Sequence, residues 1–416
     1  MNTIKIAINA IRVSQTGGGG IDNYIVNVVN SMMKNCEKNK VEITVYTVAP
    51  HLFENISQTH IVSPLSLLFL SRLGRKSNSS HLNKSQVDDF ANHGVHKKTK
   101  HIVSILKARF ADHIKMFWTQ FIFPFHLLLK NNHIVFSPTQ FEALFLSPVP
   151  QVLMVLDVQF FLFPGKNYKH PFFLKYFLPF IMQRCSMLLT LTEGSKKHMV
   201  NFFPCLNPKR IRSTYLAPAK LLKVLDEDRV SWIRKKFNLQ KYIFCVSTGD
   251  THKNLHLLIE AFSLIRHKIS ENLCIAGYRS SDQIEFLNSV KEKFGVVHRV
   301  QFLGHVSDEE LSVLYQNAEC FIYPTLFTGF GLPPLEAMQY GVPTLVAKSD
   351  YITEIVKEGG LFFDPKDPHD IADQILKVLL NSNLKKELKV AGLKRVQQFS
   401  WEKCAMETIQ AIKSCL

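Results

Sequence analysis

The sequence predicts an α/β fold of two doubly wound parallel-sheet domains facing each other across a cleft. Three observations carry this. The chain has 416 residues, more than one core organises at the usual ~100–200 residues per domain. Short apolar runs alternate with helical-period segments along most of its length, the pattern of stacked βαβ units. The alternating series begins twice, at Ile4 and again at Tyr242, with a change of register around Ala217 and Pro218. The expected organisation is a Rossmann-like domain over residues 1–217, a second over 218–398, and a terminal amphipathic helix over 399–416 that crosses back to the first domain.

"IKIAINA" (Ile4 to Ala10) reads as the first buried strand. A glycine run, Gly17 to Gly20, follows it, and then Ile21, Ile25, Val28 and Met32 recur at helical spacing. "VEITVYTV", "HIVFSP", "QVLMVLD" and "MLLTLT" supply further strands of the first domain. Residues 76–100 have no period and are expected to form a mobile loop. In the second half the strands are "YIFCVST", "NLCIAG", "VQFLGHV", "ECFIYPT", "VPTLVAK" and "GGLFFD". Ser307 with Glu310 three residues on forms a capping box at the start of "SDEELSVLYQNA".

Composition narrows the function class. Apolar residues make up 46% and charged residues 20%, a globular mix rather than a disordered one. Eight cysteines are scattered without a C-x-x-C pair or metal-ligand spacing, so they read as buried thiols in a reducing compartment. The N-terminus has no apolar run of signal-peptide length, and a cytoplasmic chain is expected. Net charge is +16, and the first 216 residues carry 25 Lys+Arg against 10 Asp+Glu. Residues 71–130 alone hold 11 basic and 3 acidic side chains and end in "MFWTQFIFPFHLLL". That piece is too short to span ~30 Å of hydrocarbon. Two readings stay open: a core helix beside a solvated basic loop, or attachment at the anionic inner face of a membrane. Nucleic acid is not an expected partner, because no recognition helix or stacking sheet accompanies the charge.

The chemistry concentrates in loops at predicted strand ends. "GFGLPPLEAM" places Gly329 and Gly331 between a strand and a helix whose first turn holds Pro333 and Pro334. Free amides at such a helix start can hold a diphosphate, and Glu336 is positioned for a sugar diol; the alternative is a helix-start carboxylate favoured by the dipole. Lys253 in "STGDTHKN" sits at a strand's carboxyl end, where it can neutralise a leaving phosphate or serve as a solvated loop lysine. The first glycine run lacks a Walker pattern.

Taken together, "STGDTHKNLHLLIEAF", "VQFLGHVSDEELSVLYQNAECFIYPT", "GFGLPPLEAMQYGVPTLVA" and "GGLFFDPKDPHDIADQI" resemble the second domain of glycosyltransferase family 4, retaining nucleotide-sugar enzymes of the GT-B fold. The resemblance extends more weakly through "GGGGIDNYIVNVV", "VLMVLDVQFFLFP" and "LTLTEGSKKHMV". It implies a nucleotide-sugar donor and no cofactor or required metal; the basic, aromatic first domain is compatible with a lipid-linked or polyanionic glycan acceptor and a setting in cell-surface polysaccharide assembly. Lys253 matches the lysine at the donor diphosphate, and Glu336 the glutamate that holds the ribose. Phe330, Gly331 and Leu332 match the backbone near phosphate and sugar, and Gly19 and Gly20 the N-terminal glycine loop.

Three positions depart from the pattern. Thr328 stands where a glutamate usually touches the transferred sugar, and Leu156 precedes Asp157 where His-Asp is common. Ser247 lies where many members place a second phosphate-binding cation. The expected reacting-centre residues are Lys253, Asp157 and Thr328. The competing expectation is a non-catalytic nucleotide-sugar-binding partner of another transferase.

Overall fold

The computed structural model describes residues 3–14, 20–54, 113–158, 172–219 and 226–416. Two parallel six-stranded sheets, each flanked by helices, form two Rossmann-like domains. The first contains β1 (Ile4–Ala10), β2 (Val41–Thr47), β3 (Ile134–Ser137), β4 (Gln151–Met154), β5 (Met187–Thr190) and β6 (Ile211–Ser213), in the order β2-β1-β3-β4-β5-β6. The second contains β7 (Tyr242–Val246), β8 (Asn272–Ala276), β9 (Val300–Gly304), β10 (Cys320–Tyr323), β11 (Thr344–Ala347) and β12 (Leu361–Phe363), ordered β12-β11-β10-β7-β8-β9. Strand order reverses between β1 and β3 in one sheet and between β7 and β10 in the other, which opens a crevice at the carboxyl ends of both pairs.

The strands form where β-branched and aromatic residues run uninterrupted, because both faces of these sheets are covered by helices. β3, β4, β5, β10 and β11 are buried at every position. β6, "IRS", has a single buried apolar residue, Ile211, and is the strand the sequence pattern did not reveal. The mobile loop expected over 76–100, Gly19 and most of the basic stretch lie outside the described residues.

Two helices of the first domain depart from α geometry. The helix over 113–129 widens into a π turn at Trp118–Ile122, just before Pro124. That over 172–184 does so at Phe173–Phe177, just before Pro179. Proline has no N–H to close the i→i−4 bond, so each helix shifts register in the turn ahead of it.

Several sets of contacts among the described residues join the halves. The Trp401–Lys413 helix packs on the Gly20–Lys34 helix, where the rings of Trp401 and Tyr24 lie 6.5 Å apart. Trp401 Nε1 donates to the Pro218 carbonyl at 3.2 Å, and Lys413 Nζ to that of Asn39 at 3.0 Å. Close by, linked through the Tyr215 and Phe399 rings 6.0 Å apart, the carboxylate of Glu354 caps the Glu193–Phe202 helix. It accepts from the N–H groups of Glu193 (2.9 Å) and Gly194 (3.0 Å), and from the Tyr215 hydroxyl. A carboxylate at a helix N-terminus satisfies orphan amides and opposes the positive end of the dipole.

Candidate functional site

A cleft of ≈900 Å³ lies between the two sheets, lined by loops from both reversal points. Its C-terminal wall is built by the segment that follows β10. Gly331 starts the Leu332–Gln339 helix with φ +92°, and a Cβ there would lie 2.3 Å from the Ile352 side chain, so both backbone and space call for glycine. Pro333 and Pro334 carry no N–H, which leaves Leu332 as the amide donor among the first three helical residues.

Glu336 lies one turn further along the same helix and lines the cleft. Burial pushes its carboxyl pKa up, and a bond from the Tyr315 hydroxyl to Oε2 at 3.0 Å opposes that rise. Tyr315 is itself buried, stacked on Tyr340 with ring centroids 5.7 Å apart. Burial, and after it the neighbouring Glu336, holds its phenol far above the usual range. The tyrosine is therefore a fixed donor, and it leaves the other carboxylate oxygen to the cleft.

The N-terminal wall combines Gly20, Asn23, Tyr24 and Asn27 from the first helix with Gln140, Leu156 and Asp157. Gln140 Oε1 accepts the Leu156 N–H at 3.2 Å and pins the backbone that follows β4. The two walls touch here. A Cβ on Gly329 would stand 2.5 Å from the Leu156 carbonyl oxygen and 3.3 Å from Asp157 Cβ. The Gly329 carbonyl accepts the Ser195 hydroxyl at 3.1 Å, a hydrogen bond between the two halves. Thr328 and Leu156, two of the three departures from the family pattern, therefore flank one contact.

Of the residues expected from sequence, Gly20, Asp157, Thr328, Phe330, Gly331, Leu332 and Glu336 are brought together on the cleft. Ser247 and Lys253 are not among its lining residues. Ser247 is buried, its hydroxyl donating to the Thr248 carbonyl and its own carbonyl receiving Arg279 Nη2. Lys253 ends the Thr251–Lys253 turn after β7, half-buried. A bond from the Leu326 N–H to the His252 carbonyl (2.9 Å) ties that turn to the Thr328 loop. Burial first, then the charge of Lys253, lowers the His252 pKa to about 4.

Tyr315, Asp308, Ser312, His305 and Gly277 also line the cleft, and the sequence reading did not single them out. The signal was present for three of them. Asp308, Ser312 and Tyr315 fall at i, i+4 and i+7 of one helix, a polar stripe where a purely structural helix would bury aliphatic residues. Among the described residues no group of three His, Cys, Asp or Glu is arranged to hold a metal ion.

Residues 226–395 match the family model described as glycosyl transferases group 1. The second half of the chain is therefore similar to the glycosyl transferases group 1 domain. The chain is 31% identical over 243 residues to the O-antigen chain mannosyltransferase B of Escherichia coli, covering 56% of this chain and 61% of that relative. The matched stretch thus spans less than two thirds of the relative's length. Among solved structures, the sucrose-phosphate synthase of Thermosynechococcus elongatus superposes with TM-score 0.68 at 15% identity, covering 99% of this chain and 98% of that one. The Anabaena protein HepE, solved with UDP and glucose, superposes with TM-score 0.64 at 14% identity over 99% and 100% of the two chains. These likenesses show the same two-domain GT-B fold over both halves of the chain.

Proposed function

We propose that this chain is a retaining glycosyltransferase that moves a sugar from a nucleotide-diphosphate donor to a glycan or lipid-linked acceptor in cell-surface polysaccharide assembly. The observation that carries the proposal is the C-terminal wall, where a helix start opened by Gly331 stands beside a carboxylate held by Tyr315. Leu332 offers its amide to the diphosphate, and the open oxygen of Glu336 accepts from the ribose hydroxyls. Lys253 neutralises the leaving phosphate from the turn behind the loop. With Asp157 and Thr328 on opposite walls, the cleft brings acceptor and donor together, and catalysis rests on positioning and electrostatics. No metal enters this scheme. The mannosyltransferase relative makes mannose the first sugar to test, and the UDP bound to HepE puts uridine among the nucleosides to test.

The test is thermal shift with a panel of nucleoside diphosphate sugars, followed by transfer assays. One donor is expected to stabilise the native protein. Glu336→Ala is expected to weaken that donor by about 10–100-fold, the ~1.5–3 kcal/mol of a charge-assisted hydrogen bond. Lys253→Ala is expected to lower turnover by ~10²–10³. Stabilisation that survives both changes would move the site elsewhere.

A second reading has its own observation. Thr328 and Leu156 take the places of two polar groups at the sugar, which favours a donor-binding partner of another transferase. Donor binding without hydrolysis or transfer over a broad acceptor panel selects that reading and sinks the enzyme.

A further inference from the structure

We propose that the outer faces of the two π-bulged helices, 113–129 and 172–184, form one membrane-docking surface whose occupant is an anionic lipid bilayer. The inner side of the first helix is core: Trp118, Phe123 and Leu127 are buried. Its outer side is not. Phe117, Phe121 and Phe125, spaced at i, i+4 and i+8, are 57%, 60% and 68% exposed, and Leu129 is 78% exposed. On the second helix Phe172 and Tyr176 are 66% and 56% exposed, while Phe173, Leu174 and Leu178 pack inward. A free soluble surface rarely carries so many large apolar side chains together.

Phe145 joins the helices into one face. Its N–H donates to Gln120 Oε1 at 2.8 Å, and its ring stacks on Phe180 (5.1 Å) and meets Phe177 edge-on (5.5 Å). Charge selects the occupant. Residues 113–130 and 172–184 contain Lys115, Lys130, Lys175 and Arg184 and no Asp or Glu. Lys175 lies over the Tyr176 ring and Arg184 over that of Phe180, so cations sit against aromatic rings, the pairing that suits a headgroup boundary. A second copy would bring the same positive charge and be repelled, whereas an anionic leaflet attracts it. Among the described residues no helix is long and apolar enough to cross a membrane, which makes the contact one of lying on the surface.

The face adjoins the cleft: Leu174 lines the cleft from the same turn that presents Phe172 and Tyr176 outward. Delivery of a lipid-linked acceptor by this route rests on the function proposed above, while the docking does not. Co-sedimentation of the intact protein with vesicles tests it. Phosphatidylcholine vesicles containing phosphatidylglycerol are expected to bind at least tenfold more protein than phosphatidylcholine alone. Lys175→Ala and Arg184→Ala should each lower partitioning about fivefold, the ~1 kcal/mol of one basic residue near the surface. Phe121→Ser combined with Phe125→Ser should abolish binding, with an unchanged unfolding temperature as the fold control. Equal partitioning onto both vesicles, wild-type binding by the Phe121/Phe125 double variant, or a native dimer that this variant converts to monomer would each overturn the proposal.

Discussion

On the C-terminal wall of the cleft the carboxylate of Glu336 faces open space, with one oxygen held by Tyr315. On the N-terminal wall the carboxylate of Glu142 is sealed within the protein. It accepts the Arg12 N–H at 3.2 Å and the Thr139 hydroxyl at 3.1 Å, directly beneath the cleft-lining Gln140 and Phe141. The same group, placed at the same end of a parallel sheet, presents a ligand surface in one domain and braces a loop in the other. The charge of the chain divides the same way, 25 Lys+Arg against 10 Asp+Glu before residue 217 and 25 against 24 after it. One wall lines the cleft with a fixed helix start and a held carboxylate; the described helices of the other domain carry an apolar, basic exterior.

The largest effect is expected where the walls meet. Gly329→Ala places a methyl group 2.5 Å from the Leu156 carbonyl oxygen, and backbone on both sides prevents a side-chain adjustment. The walls must separate by a fraction of an ångström to about an ångström. Under the proposed activity such a displacement lowers kcat/KM by ~10², while nucleotide binding, carried in that proposal mainly by the C-terminal wall, changes less. A variant with wild-type kcat/KM would show that the Gly329 contact does not set the catalytic geometry.

How much of this was legible in the sequence follows the same divide. The strands of both sheets were read from apolar runs, because burial on both faces leaves no alternation to misread. β6 was missed, since its pairing with β5 is set by the sheet and not by its own composition. Gly331 and Glu336 were found because a turn with φ above zero and a helix start leave a local pattern. The contact between Gly329 and Leu156 was not, for it joins residues distant in sequence and depends on how the domains face. Ser247 was placed by the family resemblance and Lys253 by that resemblance and its position after a strand; neither is among the residues lining the cleft.

The two carboxylates also differ in what pH should do. Burial raises the Glu142 pKa to about 7, with the bond from Arg12 only partly opposing it. A group whose folded pKa is raised stabilises fully below its unfolded value, near 4.5, and loses that contribution as pH climbs through 7. Stability should fall by about 2 kcal/mol between pH 5 and pH 7 from this residue. Glu142→Gln cannot titrate and should flatten that slope, as read by denaturant midpoints across the range. An unchanged slope would assign the pH dependence to another group.

The smallest effect is expected at the Glu354 junction between the domains, and it separates local capping from cleft geometry. Glu354 uses both carboxylate oxygens on the Glu193 and Gly194 amides and also accepts from Tyr215. Glu354→Gln keeps one acceptor, turns the other into a donor facing N–H groups, and removes a charge from the helix N-terminus. The loss should be about 1 kcal/mol, in the range of a single cap or dipole contact, seen as a small drop in the unfolding midpoint. High salt should shrink the gap between variant and native protein by weakening the dipole contribution. If this junction only fastens the domains, nucleotide binding on the C-terminal wall stays at its native value in the variant. A nucleotide affinity that falls with the midpoint would instead mean that the N-terminal domain shapes the donor wall through Glu354, and the division between the two walls would no longer hold.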